Sequence, residues 1–521
     1  MTRPPGAPTA SLCPAPGRIA PSMTPARFAR SAAPIALLLY VLGLYATTAL
    51  LQDGLFERDG YYHARVARLL PERGLSRAFP WTQLSTWKDA YCDKEVLYHV
   101  AMAPLAQLGP EPILGARIFS VLLAVAVVAA LFLLLRTQGV PWPAFFAALP
   151  LAAGGLFLAR LGMIRSHVLS MLLLLLGLHL MQRRHWRGLL ALGFAYAWCY
   201  TVPFVLVLTA APFAAGAWLG KGGFDWRSVV AAGAGAVLGM AVHPYSPLTL
   251  ETFFTYVQIF RIGLAGVGQS GFELGNEIYP YPLPVFFDIY PLVVIGLPAL
   301  GLVVAARWSR LAASTRGMVA ACAFWAAMTV ASARFVEYLV LLLAVAVALV
   351  VRDLAGGDPA LAAWFGRARW RRWAGGLAAL GLLAGFHARS MTFYVHYQSR
   401  AAPPRFFDGA GAWMARHLAP GENVVNLYWD DFPDLFYSAP RQHYLWGLDP
   451  TYSIRFDPKL ATLLERTRRL ELAVDAHALA TAFQARYLVL RASRAEAYAE
   501  HGLPRSREVY RDASAVVFRL E

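Results

Sequence analysis

Eleven nearly uncharged stretches punctuate this chain, each long enough as a helix to cross about 30 Å of hydrocarbon. They fall near residues 34–52, 114–135, 142–160, 167–182, 188–202, 203–220, 228–245, 289–306, 317–333, 335–351 and 373–391. Between them, every second turn is basic: Arg136, then Arg183, Arg184 and Arg187, then Lys221 with Arg227, then Arg307, Arg310 and Arg316, and finally Arg352 with the arginines from Arg367 to Arg372. Retention of Lys and Arg on the cytoplasmic side sets the N-terminus inside. The segments 53–113, 161–166 and 246–288, the Ala331–Tyr338 corner and everything after about Thr392 then lie outside. The uncharged run from Leu189 to Gly220 is read as two passes, because a single pass would put one of its flanking basic clusters outside and because Pro203 and Pro212 interrupt it.

The two ends of the chain break this pattern. Residues 1–33 are rich in Pro, Ala and Arg without apolar periodicity and read as a disordered cytoplasmic leader. The apolar run that follows is too long for a cleaved signal segment and reads as a retained first helix. From Ala401 onward charge returns, with alternating stretches at 424–428, 486–491 and 515–519 and helix-like runs around 407–418, 457–470 and 474–484. The expected organisation is a leader over 1–33, a membrane domain over 34–395 and a small α/β domain over 396–521 docked on the outer face.

Composition agrees with the pattern. At 58% hydrophobic and 15% charged residues, 15 Trp and a mean hydropathy of +0.47, the chain has too much apolar surface for a soluble domain. The net charge of +16 does not indicate nucleic acid, because the arginines sit between membrane runs. The four cysteines, Cys13, Cys92, Cys199 and Cys322, have no metal-clip or disulfide spacing.

The density of chemistry is highest from Phe56 to His99. Asp59 opens an amphipathic helix in the segment DGYYHARVARLL, in which Tyr61, Tyr62, Val66, Leu69 and Leu70 face lipid or core while Arg65 and Arg68 face headgroups. Asp59 there is either the N-cap of that helix or a functional carboxylate. Downstream, Asp89, Asp93, Glu95 and His99 form either a cation site or, the preferred reading, a solvated loop with salt bridges to Lys88 and Lys94. The segment 250–288 carries Glu273 and Glu277 and is too long for a simple turn. Arg334, at the outer end of a span, either grips a phosphate with its planar fork or pairs with Glu337 at i+3.

This arrangement resembles the membrane glycosyltransferases of the GT-C fold, in particular the catalytic subunit of oligosaccharyltransferase. DGYYHAR is similar to the D-x-YYH-x-R form of its prokaryotic members, and the tail segment 428–432, YWDDF, stands where they carry WWDYG. The resemblance implies a polytopic α-helical membrane protein of about eleven spans with a small C-terminal α/β extracytoplasmic domain. It implies that Asp59 is the catalytic carboxylate, and that Asp59 with Glu273 or Glu277 holds a divalent cation such as Mn or Mg. His167, which the chain has near the family's second metal carboxylate, is a further candidate ligand, the alternatives being a metal held differently and none at all. It assigns Arg334, His63 and Arg65 to the donor phosphate, and Tyr428, Trp429, Asp430 and Asp431 to the acceptor. The chain departs from the family's D-x-D pair after the third span, where residues 163–167 read MIRSH.

The implied reaction is inverting transfer of a sugar or oligosaccharide from a polyprenyl-(di)phosphate donor to a protein, glycan or lipid acceptor outside the membrane. A single-sugar transferase using a polyprenyl monophosphate donor is the alternative. A transporter or scaffold would instead place its polar groups at mid-bilayer, whereas nearly all the charge here lies at span ends.

Overall fold

Each of the eleven apolar runs is helical in the computed structural model, which describes residues 25–55, 57–265, 275–357, 369–401 and 405–521. About 72% of the structure is helix. The order begins with α1 (Pro25–Leu51), α2 (Asp59–Arg73), α3 (Val96–Ala106), α4 (Pro112–Thr137), α5 (Pro143–Ala153), α6 (Gly155–Leu161) and α7 (Ser166–Gln182). It continues with α8 (Trp186–Cys199), α9 (Val205–Leu219), α10 (Trp226–Ala241), α11 (Leu248–Ala265), α12 (Leu283–Ile289), α13 (Pro291–Arg307), α14 (Ala313–Ala331), α15 (Val336–Gly357) and α16 (Arg369–Ala401). The stretch 189–220 is two helices, α8 and α9, separated at Tyr200–Phe204.

Among the described residues, four segments are long and apolar enough to cross a membrane: Ala32–Leu51, Pro112–Thr137, Pro291–Arg310 and Ala333–Ala355. The pair α5 and α6 adds a fifth if the two count as one broken span. These helices make the chain an integral membrane protein. The expected count of about eleven passes is thus matched in position but not in length. A helix such as α8, with 14 residues, reaches only about 21 Å at 1.5 Å per residue, short of a full crossing. Residues 25–33, expected in the leader, belong to α1.

The break between α5 and α6 positions the chemistry. The two helices bend by 103° at Gly154. A Cβ at Gly154 would lie 2.1 Å from the Ile289 carbonyl oxygen, so glycine is required for the close approach of the segment before α13. The bend turns α6 so that Arg160 lies beside the start of α15, and the short turn after it delivers Arg165 to the head of α7.

The C-terminal unit carries a five-stranded sheet in the order β2-β1-β3-β5-β4, with β1 (Asn423–Asn426), β2 (His443–Tyr444), β3 (Tyr487–Arg491), β4 (Glu508–Arg511) and β5 (Ala515–Arg519). β1 is parallel to both β2 and β3, while β5 runs antiparallel to β3 and β4. Val424, Val425, Leu488, Leu490, Val516 and Phe518 are fully buried in the strands. The alternation at 424–428, 486–491 and 515–519 therefore marks real strands, and the helices expected near 407–418, 457–470 and 474–484 form at Asp408–His417, Pro458–Arg468 and Ala476–Phe483.

The segment between α2 and α3 joins the bundle to this unit. Gln83 and Leu84 donate backbone hydrogen bonds to Tyr444 and Leu445 at 2.7 and 2.6 Å, and Trp81 Nε1 donates to the Pro440 carbonyl at 2.7 Å. Phe79 and Trp81 pack on Phe436, with ring centroids 5.3 and 4.8 Å apart. This corrects the interfacial reading of α2. Tyr61 and Tyr62 are buried, Arg65 stacks on the Tyr437 ring, and Arg68 donates to the Ala106 carbonyl, so the helix is clamped between protein layers. The segment 246–288 is likewise not a simple loop, since α11 fills much of it.

Candidate functional site

Asp59 is the first residue of α2, and its side chain does not cap the helix. Its backbone N–H instead donates to Glu57 Oε1 at 2.9 Å, which folds the Glu57 carboxylate back beside it. Two acids of one turn therefore point the same way. Across from them come two arginines, Arg160 from the last turn of α6 and Arg165 from just before α7, with Glu277 from the turn Asn276–Ile278, Arg334 from the turn Ala333–Phe335 and Glu337 from the first turn of α15.

Arg165 is the hub. Its Nε lies 3.2 Å from Glu57 Oε1, its Nη1 lies 3.2 Å from Glu277 Oε2, and its Nη2 donates to Asp59 Oδ2 in a short contact. Arg160 donates from Nη1 to Glu277 Oε2 at 2.8 Å and from Nε to Glu337 Oε2 at 2.5 Å. Arg334 Nη1 stands 3.8 Å from Glu277 Oε1, and its Nε finds no partner among the described residues. Charge-assisted contacts of this kind are the strong ones in a partly desolvated site.

The electrostatics follow from the geometry. Burial would raise the Glu277 carboxyl, but Arg165, Arg334 and Arg160 together hold it well below the ordinary carboxylate range. Glu57 goes the other way. Burial pushes it up to about 8, Asp59 and Glu277 add to the rise, Arg165 only partly offsets it, and its Oε2 is buried without a partner. Three guanidiniums, Arg160, Arg165 and Arg334, thus face four acids, Glu57, Asp59, Glu277 and Glu337, and Glu57 is the one whose Oε2 is left both buried and unpaired while burial pushes it toward its neutral form.

A second cluster adjoins on the same face of α2, where His63 follows Asp59 at i+4. Asp93 Oδ2 accepts from His99 Nδ1 at 2.8 Å, which leaves His99 Nε2 as the acceptor for His63 Nδ1–H at 2.9 Å. Glu95 Oε2 is 3.8 Å from His63 Nδ1, while Glu95 Oε1 accepts from Ser166 Oγ at 2.8 Å and Thr201 Oγ1 at 3.0 Å. Burial lowers His63 to about 4, so its ring is neutral at pH 7. Burial would raise Glu95, but Lys94, His63 and His99 hold it down at about 2. His63, Glu95 and His99 offer ligand atoms within 4.8 Å of one another and are the group among the described residues able to hold a metal ion. The solvated loop expected over 89–99 is instead largely interior: Asp93, Glu95 and His99 are all buried, and Lys94 reaches Tyr256 rather than a neighbouring acid.

Of the residues singled out in the sequence, the structure brings Asp59, Glu277 and Arg334 into one cluster. Glu273 lies outside the described residues. Of the expected cation set, Asp59, His167 and Glu277 do not come together, because a guanidinium separates Asp59 from Glu277 and His167 Nε2 is 2.9 Å from the Arg160 main-chain oxygen. His63 turns to His99, and Arg65 donates to the Tyr437 carbonyl, so neither faces Arg334 as a phosphate pair. Arg334 leans on Glu277, and Glu337 is taken by Arg160.

The segment Tyr428–Asp431 is also engaged elsewhere. Asp431 is buried and bridged by Arg491 and Arg494, Asp430 lies 3.4 Å from Arg491, and Arg494 stacks 3.4 Å over the Tyr428 ring. Sequence reasoning missed Glu57, Arg160 and Arg165 as members of the site. Arg165 carried a visible signal, a basic residue in the segment 163–167 where an acidic pair was expected.

No protein-family model matches the chain, and no curated protein matches it in sequence. Its structure is similar to that of the oligosaccharyltransferase AglB from Archaeoglobus fulgidus in complex with an inhibitory peptide and a dolichol-phosphate. The identity is 12% and the TM-score 0.61, over 92% of this chain and 71% of that one. It is also similar to ArnT from Cupriavidus metallidurans bound to undecaprenyl phosphate, at 15% identity and a TM-score of 0.58, over 95% of this chain and 98% of that one. The arabinofuranosyltransferase AftD from Mycobacteria matches at 17% identity and a TM-score of 0.50, over 89% of this chain and 35% of that one. On its helical order, its bent third apolar run, its C-terminal sheet and these likenesses, the chain has the GT-C fold of membrane glycosyltransferases.

Proposed function

We propose that the protein is an inverting membrane glycosyltransferase that takes a sugar from a polyprenyl-phosphate-linked donor and passes it to an acceptor outside the membrane. The observation that carries this reading is the convergence of Asp59, Glu277 and Arg334, from three distant segments, at the end of the helices covered by the C-terminal unit. The neighbours AglB and ArnT were seen with dolichol-phosphate and undecaprenyl phosphate, ligands with the same headgroup and tail chemistry.

In this reading Asp59 accepts the proton of the acceptor hydroxyl or amide as its heteroatom attacks the anomeric carbon. The bond from that carbon to the phosphate oxygen breaks on the opposite face, and the electron pair leaves with the polyprenyl phosphate. Arg334, with an unpartnered Nε, receives the developing phosphate charge, so no general acid is needed. Removal of a positioned general base costs about 10²–10⁴-fold in rate. Asp59→Asn should therefore abolish most transfer of label from polyprenyl-linked sugars in purified protein that still unfolds in one cooperative thermal transition. Full transfer by that variant would sink the assignment.

One observation favours a lipid or glycan acceptor over a peptide. The segment 428–431, which the oligosaccharyltransferase resemblance assigns to a peptide acceptor, is bound up with Arg491 and Arg494 inside the C-terminal unit. Supplying lipid-linked monosaccharide and lipid-linked oligosaccharide side by side, with peptide and lipid acceptors in separate reactions, distinguishes single-sugar transfer from oligosaccharide transfer.

A further inference from the structure

Glu57, Asp59 and Glu277 form the kind of carboxylate cluster that a hard divalent cation would occupy, yet the centre of the cluster is filled. Each nitrogen of the Arg165 guanidinium faces a different acid: Nε faces Glu57, Nη2 faces Asp59 and Nη1 faces Glu277. A divalent ion needs about six oxygen ligands at roughly 2.0–2.6 Å, and it could reach that number here only by displacing Arg165. The charge count also opposes an ion. Arg160, Arg165 and Arg334 already lie against these acids, and two further positive charges would sit among three guanidiniums.

The position of Arg165 is fixed by the fold rather than by side-chain chance. It immediately precedes Ser166, whose Oγ donates to the buried Glu95, so the backbone at the head of α7 is tied to the loop before α3. Its side chain is 21% exposed, inside a cluster whose other members are largely or wholly buried, from 0% exposed at Glu337 to 27% at Asp59. A guanidinium there carries a permanent charge and offers five N–H donors on three nitrogens in a rigid plane.

We propose that Arg165 is the resident cation of this site: it holds Asp59 and Glu277 in place by standing where a divalent ion would have to bind, so the cluster operates without metal and excludes one. Arg165 is thus a positioning residue for Asp59. This inference rests on the glycosyltransferase reading for its role in transfer, but the occupancy of the cluster by Arg165 can be tested without any transfer assay.

The test is Mn²⁺ binding, followed by electron paramagnetic resonance on the full-length protein in detergent. The wild type should show no Mn²⁺ signal that depends on Asp59. Arg165→Ala should gain one bound Mn²⁺, lost again in Arg165→Ala with Asp59→Asn and kept in Arg165→Ala with His99→Ala, which removes the other candidate metal group. Arg165→Lys, which keeps a cation, should gain none.

In transfer assays the wild-type rate should be the same in chelator as in Mn²⁺. Arg165→Ala should lose at least about 10-fold and recover part of it with Mn²⁺ or guanidinium. Asp59-dependent Mn²⁺ binding by the wild type would overturn the proposal, as would an Arg165→Ala variant that gains no site. If Arg165→Ala does not fold, the wild-type and Arg165→Lys measurements decide in the same way. A wild type that transfers no sugar from any lipid-linked donor refutes the functional reading and leaves the binding result standing.

Discussion

Around Asp59 and around Asp431 the chain sets guanidinium against carboxylate in opposite proportions. At Asp59 one arginine serves three acids, and the Asp59 side chain is 27% exposed. At Asp431 two arginines, Arg491 and Arg494, converge on a carboxylate only 3% exposed. Arg491 also lies over the Phe406 ring, with Arg58 on that ring too and paired with Asp434 at 2.5 Å. The first cluster is open, drawn from loops and helix ends that meet only in the folded molecule, and it keeps an arginine with spare donor capacity. The second is closed, with its charges neutralised inside the C-terminal unit and at its seam with the bundle. Arg491 Nε is likewise buried without a partner, so neither ion pairs nor an unspent donor alone mark a functional site; what separates the two clusters is access to the central carboxylate.

The largest effect that tests this contrast is on stability. Asp431→Ala removes the buried carboxylate on which the partly buried Arg491 and Arg494 converge and leaves them only the more exposed Asp430, at a cost of about 3 kcal/mol, the low end for a broken buried pair. The thermal unfolding midpoint in detergent should drop markedly while transfer per folded molecule is retained. Loss of transfer without loss of stability would mean that the closed cluster touches acceptor after all and that the two regions are functionally alike.

A smaller effect concerns pH. Burial raises Glu57 to about 8, well above an ordinary carboxyl group, so the folded protein holds a proton there that the unfolded chain releases. Stability from this proton is fully present below the ordinary carboxyl range and is lost as pH rises toward and through about 8. Thermal midpoints recorded from about pH 5 to 9 should therefore decline for the wild type, and Glu57→Gln should flatten that slope. An unchanged slope would show that Glu57 is ionised beside Arg165.

The smallest effect belongs to the exposed pair of Arg405 and Glu111, 2.5 Å apart at the seam between the bundle and the C-terminal unit. Because Glu111 is half exposed, Arg405→Ala should cost no more than about 1 kcal/mol, read as a shift of a few degrees or less in the midpoint.

Much of the fold could be read before any coordinates. A helix needs only local hydrogen bonds and an apolar run, so the eleven runs translate directly into helices, and period-two alternation marks three of the five strands. The strands it missed are short or lie at the sheet edge: β2 has two residues and β4 is partly exposed. Within the site, Asp59, Glu277 and Arg334 stood out because a charge at a span end is costly without a purpose.

Their partners did not stand out, since the pairing of Arg165 with Asp59 spans 106 residues and that of Arg160 with Glu337 spans 177. The i+3 spacing of Arg334 and Glu337 suggested a local pair, but Arg334 stands against Glu277 and Glu337 is taken by Arg160, which α6 carries beyond the bend at Gly154.

The sequence by itself determined the membrane character, the helices, the α/β nature of the tail and the acidic start of α2, all of which depend on composition and short-range periodicity. Only the tertiary structure decided which charges meet. It put Arg165 among three acids, drew His63 away to His99 and closed the Tyr428–Asp431 segment with arginines. Ion pairing depends on where helix ends fall after packing, and packing is set by long-range contacts that no local pattern encodes.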